Sequence, residues 1–148
     1  MLELADSGAV DVIFHGCNCR KVMGAGIAAA IARKWPEVYQ ADVDSESLPG
    51  GLSYAFVHRP RVPHTPLMVF NLYTQVNPGP CFDLELLSQS LEKLVYEVEH
   101  WTERQGLALR GVGFPSIGCG IGGGNWDEVQ AVIWSWLGRR GDLVHVVL

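Results

Sequence analysis

The chain has 148 residues, of which 48% are hydrophobic and 18% are charged, a composition typical of a globular domain and not of a disordered segment. The formal net charge of -5 argues against a broad attraction to nucleic acid or anionic lipid, so an anionic ligand has to be held by local donors. No apolar run reaches the roughly 18–20 residues of a membrane span, and the amino terminus lacks the pattern of a secretory signal. We therefore expect one cytoplasmic domain over residues 1–148, with no membrane or nucleic-acid partner.

The first half of the chain predicts a strand, two helices and two further strands. The apolar run at residues 10–15 lies between two glycines and indicates a buried strand. The alanine-rich segment at residues 23–35 predicts a helix, which Pro36 ends, and Pro36 in turn opens a second short helix. Residues 53–58 and 67–74 predict two strands, because a proline-rich loop separates two apolar runs.

The second half predicts two more helices and two more strands. Leucines and valines recur at helical spacing over residues 84–101, with Asp83 as the N-cap and Gly106 at the end. Asn125 caps a later helix, with Glu128 as its capping-box partner. The two strands are the apolar runs at residues 111–115 and 143–148. Because strands alternate with helices, we predict an α/β fold with a largely parallel sheet, helices on both faces and the ligand at the carboxyl ends of the strands.

The four cysteines are Cys17, Cys19, Cys81 and Cys119, and without an export signal we expect reduced thiols. His15, Cys17 and Cys19 lie close together in sequence, but a zinc site needs four ligands and the usual gap of two residues between cysteines is missing. We therefore expect no metal ion and no cofactor.

Two segments share one design, in which an apolar strand leads through a glycine-rich turn into a helix. They cover residues 12–27 and 113–120, and neither is a P-loop. Glycine lets a ligand approach the backbone closely, and a helix N-terminus offers free amides and the positive end of its dipole. For either loop alone, the better explanation of its glycines is that they form tight turns. Together, at one edge of a parallel sheet, they predict a single pocket for the phosphates and sugar of a nucleotide-like ligand.

Three motifs resemble those of macro domains: His-Gly-Cys-Asn-Cys at residues 15–19, Met-Gly-Ala-Gly-Ile-Ala at 23–28 and Phe-Pro-Ser-Ile-Gly-Cys-Gly at 114–120. Within that superfamily the chain resembles the phage-type and yeast-type ADP-ribose 1″-phosphate phosphatases, which residues 71–75 and 123–128 also match. The likeness covers nearly the whole chain. It implies a three-layer α/β/α fold with a mixed sheet and ADP-ribose in the cleft.

The resemblance also implies where the ligand binds. Asn18 contacts the distal ribose, the loop at residues 24–27 faces the diphosphate, and the loop at residues 116–122 closes from the other side. The implied ligand-binding residues are Cys17, Gly24, Ala25, Gly26, Ile27, Ser116, Ile117, Gly118, Cys119, Gly120, Ile121 and Gly122.

Three features depart from the family pattern. Macro domains usually carry an early Gly-Asp pair that binds adenine, but this chain begins at Met1 about where that pair has passed, so we expect the first strand and the adenine contact to be truncated or replaced. The phosphate loop has Gly120 and Ile121 where an aromatic often packs on the ribose. Thr74-Gln75 and Gly122 occupy the neighbourhoods of a lysine and an aspartate in one hydrolase branch, which argues against a lysine adduct.

His15 and Asn18 are the candidate catalytic residues. An imidazole near neutral pKa at a strand end orients water or protonates a leaving group, whereas the alternative is a buried histidine that is satisfied by the backbone. Asn18 orients a hydroxyl or simply belongs to a turn. Cys119 in a helix-start loop is a weaker candidate nucleophile, because no histidine lies near it in sequence.

Three functions remain open at this point. The first is hydrolysis at the distal ribose of ADP-ribose 1″-phosphate or of another ADP-ribosyl derivative, including an ADP-ribosylated protein. The second is a non-catalytic module that binds ADP-ribose or a related nucleotide. The third is a degenerate domain that has lost its ligand and serves as a protein–protein surface.

Overall fold

A computed structural model describes residues 2–138 and 144–147 of the chain. Strands and helices alternate along much of it, as the α/β prediction requires. The elements in chain order are α1 (Leu2–Ser7), β1 (Val12–Asn18), α2 (Gly26–Lys34), α3 (Pro36–Asp44), β2 (Leu52–Val57), β3 (Leu67–Gln75), α4 (Leu84–Gln105), β4 (Gly111–Phe114), α5 (Trp126–Leu137) and β5 (Val144–Val147). In this described part of the chain, no helix combines the length and apolar character needed to cross a bilayer.

The strands form one sheet in the order β2-β3-β1-β4-β5. The pairs β1–β3, β1–β4 and β4–β5 are parallel, whereas β2 runs antiparallel to β3. This arrangement confirms the mixed, largely parallel sheet. Because parallel strands end at the same edge of a sheet, the carboxyl ends of β1, β3 and β4 lie side by side.

Helices cover both faces of this sheet, which confirms the three-layer architecture. Successive residues of β3 point to opposite faces, as they must in a strand. Phe70 and Leu72 pack in a cluster with residues of α4 and α5, whereas Val69 packs with Ile31 of α2 and Val38 of α3. The run of apolar residues in β3 thus reflects burial on both sides.

Two helices begin where the sequence predicted, and the longer one, α4, also ends there. The Asp83 carboxylate accepts hydrogen bonds from the backbone amides of Glu85 (2.9 Å) and Leu86 (3.2 Å) at the start of α4. Gly106, with φ of 63°, ends that helix in the left-handed conformation that favours glycine. Asn125 caps α5 through the amide of Asp127 at 2.9 Å.

Other boundaries differ from the prediction. The first strand continues to Asn18 instead of ending at residue 15, because parallel pairing with β3 carries the chain through Gly16, which lies opposite Leu72. Helix α2 begins three residues later than predicted, at Gly26, and α3 extends to Asp44. Helix α1 was not predicted. Strand β5 lies inside the predicted run at 143–148, whose two end residues are outside the described part.

A buried cluster of charges connects three segments of the chain at the sheet edge where β1 begins. Asp11 and Arg59 are each 1% exposed, and Arg59 Nη2 lies 2.9 Å from Asp11 Oδ1. Arg110 donates to the same carboxylate from its backbone amide at 2.8 Å and from its guanidinium. Arg59 Nη1 also donates to the carbonyl oxygens of Ala5 (3.1 Å) and Val10 (2.6 Å). Burial raises the pKa of Asp11, but the hydrogen bonds from Arg110 and Arg59 outweigh it and hold that pKa below its usual range.

We predict that Asp11→Asn lowers the free energy of unfolding by about 3–5 kcal/mol, because it leaves the Arg59 guanidinium buried without its carboxylate. Asp6→Asn is the matched control, since Asp6 pairs with Lys34 at the surface and its loss costs about 1 kcal/mol or less. Urea unfolding followed by circular dichroism measures both values. Equal losses in the two variants would contradict the prediction.

Candidate functional site

A cleft of about 230 Å³ opens at the carboxyl ends of β1, β3 and β4. Its wall is built from the end of β1, the loop before α2, the end of β3 with the loop that follows it, and the loop after β4. The lining residues are Gly16, Cys17, Asn18, Val22, Gly24, Ala25, Ala28, Thr74, Gln75, Pro78, Gly79, Gly118, Gly120, Ile121 and Gly122. The two glycine-rich loops therefore meet at one cleft.

Several residues that the sequence singled out do not line this cleft. Ile117 is 2% exposed and packs in the core against α4 and α5, with Cys119 beside it. Ile27 packs instead on the opposite face, in the cluster that contains α2 and α3. Ser116 uses its carbonyl oxygen within the loop, where it accepts from the amide of Cys119 at 3.2 Å. Gly26 is the first residue of α2 and does not line the cleft, although the preceding residue, Ala25, does.

The end of β3 is the part of the wall that sequence reasoning did not assign to the site. Thr74 and Gln75 lie beside the end of β1, where Asn18 is opposite Gln75 in the parallel register. Pro78 and Gly79 extend the wall from the next loop. The available signal was topological, because ligands of such sheets contact the carboxyl ends of adjacent strands.

The wall carries no formal charge from side chains. None of the lining residues is Asp, Glu, Lys or Arg, and the polar side chains are those of Asn18, Thr74 and Gln75. Burial, together with the nearby negative charge of Asp42, raises the pKa of the Cys17 thiol well above its usual value and keeps it neutral. An anion in the cleft thus meets no carboxylate, and its charge falls to backbone amides.

The amino end of α2 supplies such amides. Ala25 occupies the N-cap position and makes no side-chain cap, whereas Asp83 and Asn125 cap α4 and α5. Gly26 has φ of 55°, and a Cβ added there would meet no atom within 4 Å. The first amides of α2 therefore lack a side-chain partner beside the cleft, at the positive end of the helix dipole.

Asn18 lines the cleft, and its side chain also closes the turn that follows β1. Its Nδ2 donates to the carbonyl oxygen of Val22 at 2.9 Å, and its Oδ1 accepts from the amide of Arg20 at 2.9 Å. Lys21, inside this turn, has φ of 58°, which is uncommon for a residue with a side chain. Asn18 thus fixes the turn that carries Val22 into the wall.

His15 lies outside the wall and is fully buried. Its Nε2 is 2.7 Å from Oδ1 of Asn71, and the Sγ of Cys17 is 3.6 Å from its Nδ1. Burial lowers the pKa of His15 from 6.5 to about 4, so the imidazole is neutral near pH 7. Strand β1 continues past His15 to Asn18, so His15 lies in the interior of the strand and not at its exposed end. The arrangement is that of a buried histidine with partners in the Asn71 side chain and the Gly16 backbone. The catalytic role of His15 stays a prediction.

Within the described residues, no group of three or more His, Cys, Asp or Glu side chains is arranged to hold a metal ion. Burial raises the pKa of Cys119, whose thiol donates to the carbonyl oxygen of Ile117 at 3.2 Å. A neutral thiol with this contact is a poor nucleophile.

A second cavity of about 630 Å³ lies between residues 45–52 and α4. It is larger than the cleft, and Tyr73, Lys93 and Tyr96 are among its lining residues. None of the glycine-rich motifs reaches it. Size alone therefore does not choose between the two cavities, and the meeting of the two loops makes the smaller cleft the candidate site.

Comparison with known proteins found no matching family model. The chain is 32% identical over 127 residues to an uncharacterized 17.5 kDa protein of Enterobacteria phage T4, covering 82% of this chain and 76% of that protein. It is 29% identical over 122 residues to a DNA ADP-ribosyl glycohydrolase of Thermus aquaticus, covering 82% of this chain and 32% of the relative. The chain thus spans about a third of that enzyme's length.

Solved structures share the architecture described above. The macrodomain of Mycobacterium tuberculosis DarG superposes with a TM-score of 0.74 at 22% identity, covering 97% of this chain and 91% of that one. The chain has the macrodomain fold. Thermosipho africanus DarTG in complex with ADP-ribose also superposes on this macrodomain, with a TM-score of 0.74 at 18% identity, covering 97% of this chain and 39% of that one.

We predict that His15 makes the macrodomain sensitive to acid. Because the pKa of His15 is about 4 in the folded chain and near 6.5 when it is exposed, the unfolded state binds more protons and stability falls as the pH drops from 6.5 to 4. The free energy of unfolding of the parent should therefore fall by about 3 kcal/mol more than that of His15→Gln over this range. Urea titrations at pH 7, 5.5 and 4 test this, and parallel pH profiles would show that His15 is not the group responsible.

Proposed function

We propose that the cleft binds ADP-ribose, with the diphosphate between the two glycine-rich loops. We further propose that the macrodomain hydrolyses ADP-ribose 1″-phosphate or a related ADP-ribosyl derivative at the distal ribose. The observation that carries the binding proposal is the amino end of α2, which lacks a side-chain cap and faces a wall without carboxylates. A diphosphate placed there gains hydrogen bonds from backbone amides and the favourable end of the helix dipole.

The comparisons support the choice of ligand and of chemistry. One relative is named a DNA ADP-ribosyl glycohydrolase, and one structural neighbour holds ADP-ribose. The acidic composition favours recognition by local backbone groups over a basic surface. Whether the substituent on the distal ribose is a phosphate, a nucleic acid or a protein is the part of the proposal that substrate assays decide.

In the proposed reaction, water adds across the bond that links the distal ribose to its substituent. That bond breaks. The hydroxyl group of the water joins one fragment, and the remaining proton joins the other. In this proposal Asn18, one of the three polar side chains of the wall, orients the ribose or the water, and loop amides stabilise the negative charge that develops. His15 acts in this proposal as a positioning residue, through the Cys17 side chain that it contacts.

A purely binding macrodomain is the second candidate, and one observation favours it. Apart from the neutral Cys17 thiol, no side chain of the cleft wall titrates, so the wall offers no general acid or base of its own. A hydrolase built on this cleft depends on ordered water and on the ligand's own phosphates. Turnover measurements therefore separate the two candidates.

We predict that Gly26→Glu abolishes ADP-ribose binding, with a loss of about 100-fold or more, because the carboxylate projects toward the phosphate position and repels it. Gly106→Glu is the matched control, since Gly106 also has positive φ, 63°, and open space around it, but lies at the far end of α4. Calorimetric titration with ADP-ribose, with AMP as a weaker-binding comparison, measures the affinities. Retained affinity in Gly26→Glu would place the diphosphate elsewhere.

We predict that Asn18→Ala lowers kcat by about 10-fold to 100-fold because it removes a group that orders the reacting atoms. Phosphate release from ADP-ribose 1″-phosphate and ADP-ribose release from ADP-ribosylated DNA and protein are the assays. His15→Gln is measured alongside, and turnover equal to the parent's would remove His15 from the mechanism. A parent that binds ADP-ribose but turns over none of these substrates would establish the binding module.

A further inference from the structure

The loop after β4 contains more glycine than its cleft surface needs. Gly118, Gly120 and Gly122 line the cleft, but Gly123 and Gly124 do not. Glycine costs backbone entropy on folding, so a run of this kind needs a physical reason at each position. The reason for two of these glycines, Gly118 and Gly124, lies on the protein side of the loop.

That side is occupied by the side chain of Phe82, which precedes α4. A Cβ added at Gly118 would lie 2.2 Å from the Phe82 ring, and one added at Gly124 would lie 2.7 Å from it. A Cβ at Gly122 would lie 2.7 Å from the carbonyl oxygen of Gly118, so the loop's own backbone excludes a side chain there. The ring of Phe82 therefore fills the space that side chains at Gly118 and Gly124 would otherwise take.

Hydrogen bonds hold the two segments in this arrangement. The amide of Phe82 donates to the carbonyl oxygen of Gly122 at 3.3 Å. Within the loop, the amide of Gly124 donates to the carbonyl oxygen of Gly118 at 2.7 Å. The next residue, Asp83, donates its amide to the carbonyl oxygen of Thr74 at 2.9 Å. Phe82 is thus fixed between the cleft end of β3 and the cap of α4.

We propose that Phe82 is a positioning residue for the cleft: its ring sets the conformation of residues 118–124 and thereby the affinity for the diphosphate, without lining the cleft itself. This inference rests on the proposed function for its ligand. The ring is half-buried and packs on the core cluster that contains α4 and α5. A merely structural role predicts lower stability with unchanged ligand affinity, whereas a positioning role predicts that the loop and the affinity change.

Gly118 and Gly124 differ as positions at which to test the contact with Phe82. Bulk at this position is directed at the Phe82 ring and not into the ligand space, and φ of 71° adds backbone strain. Gly124 is free of that strain, because its φ is not among the positive values. Gly124→Ala therefore tests the contact with Phe82 more cleanly than any change at Gly118.

The first experiment compares Phe82→Ala with Phe56→Ala. Phe56 is 44% exposed, contacts Trp101 with a ring-centroid separation of 5.5 Å, and lies opposite Met68 at the end of the sheet far from the cleft. We expect Phe82→Ala to raise the Kd for ADP-ribose at least about 10-fold and to speed hydrogen exchange of the amides at 118–124, with neither change in Phe56→Ala. Parent-like exchange and a Kd within about twofold of the parent would overturn the inference.

Two further variants keep the test decisive. If Phe82→Ala does not fold, Phe82→Leu removes the ring and retains an apolar side chain, and the same outcomes apply. Gly124→Ala displaces the ring and weakens binding. In the Phe82→Ala background its methyl group loses both ring contacts and keeps only the 3.1 Å contact with the carbonyl oxygen of Gly118, so the double variant should bind about as well as Phe82→Ala alone. Additive losses would contradict the proposed contact.

Failure of the proposed function is distinguishable from failure of this inference. A parent chain that does not bind ADP-ribose refutes the ligand assignment. Hydrogen exchange at residues 118–124 needs no ligand and still decides whether Phe82 sets the loop conformation.

Discussion

Parallel pairing of β1 with both of its neighbours is the constraint on which the cleft depends. Val12 lies opposite Met68 of β3 on one side and Val112 of β4 on the other, so three strands run in register toward one edge. The loops that follow these strands must begin at this edge, so both glycine-rich turns lie at the same place. The apolar residues of these strands are buried by helices on both faces. The sheet edge is therefore a rigid support for the loops that form the cleft.

Fixed charges and the cleft occupy opposite ends of β1. The carboxylate of Asp11, compensated by Arg59 and Arg110, lies where the strand begins, and the neutral wall residues lie where it ends. A buried ion pair stabilises through its geometry and tolerates no change of partner, whereas a wall of amides and small residues accepts a charged ligand without a competing carboxylate. In our proposal, the chain therefore binds an anion although its own net charge is negative.

The sequence predicted the fold well at positions where the structure depends only on a few neighbouring residues. Asp83, Gly106 and Asn125 act at helix ends through their own side chain or backbone freedom, and each was recognised. The extension of β1 through Gly16 to Asn18 comes from pairing with β3, more than fifty residues away in sequence, which no local pattern encodes. The same pairing places His15 inside the layer beside Asn71, so its burial was not readable from the strand pattern alone. Thr74 and Gln75 were missed as wall residues for this reason too, since only the register with β1 brings them to the cleft.

The contact between Phe82 and the loop after β4 also bears on how this sequence can change over time. Positions 118 and 124 share one volume with the ring at position 82, so a larger residue at either of them requires a smaller one at position 82. These three positions form one unit of variation, although position 82 precedes the others by 36 positions or more. Among descendants of this chain, a change in the aromatic residue before α4 and a change in the glycines of the loop are expected to appear together.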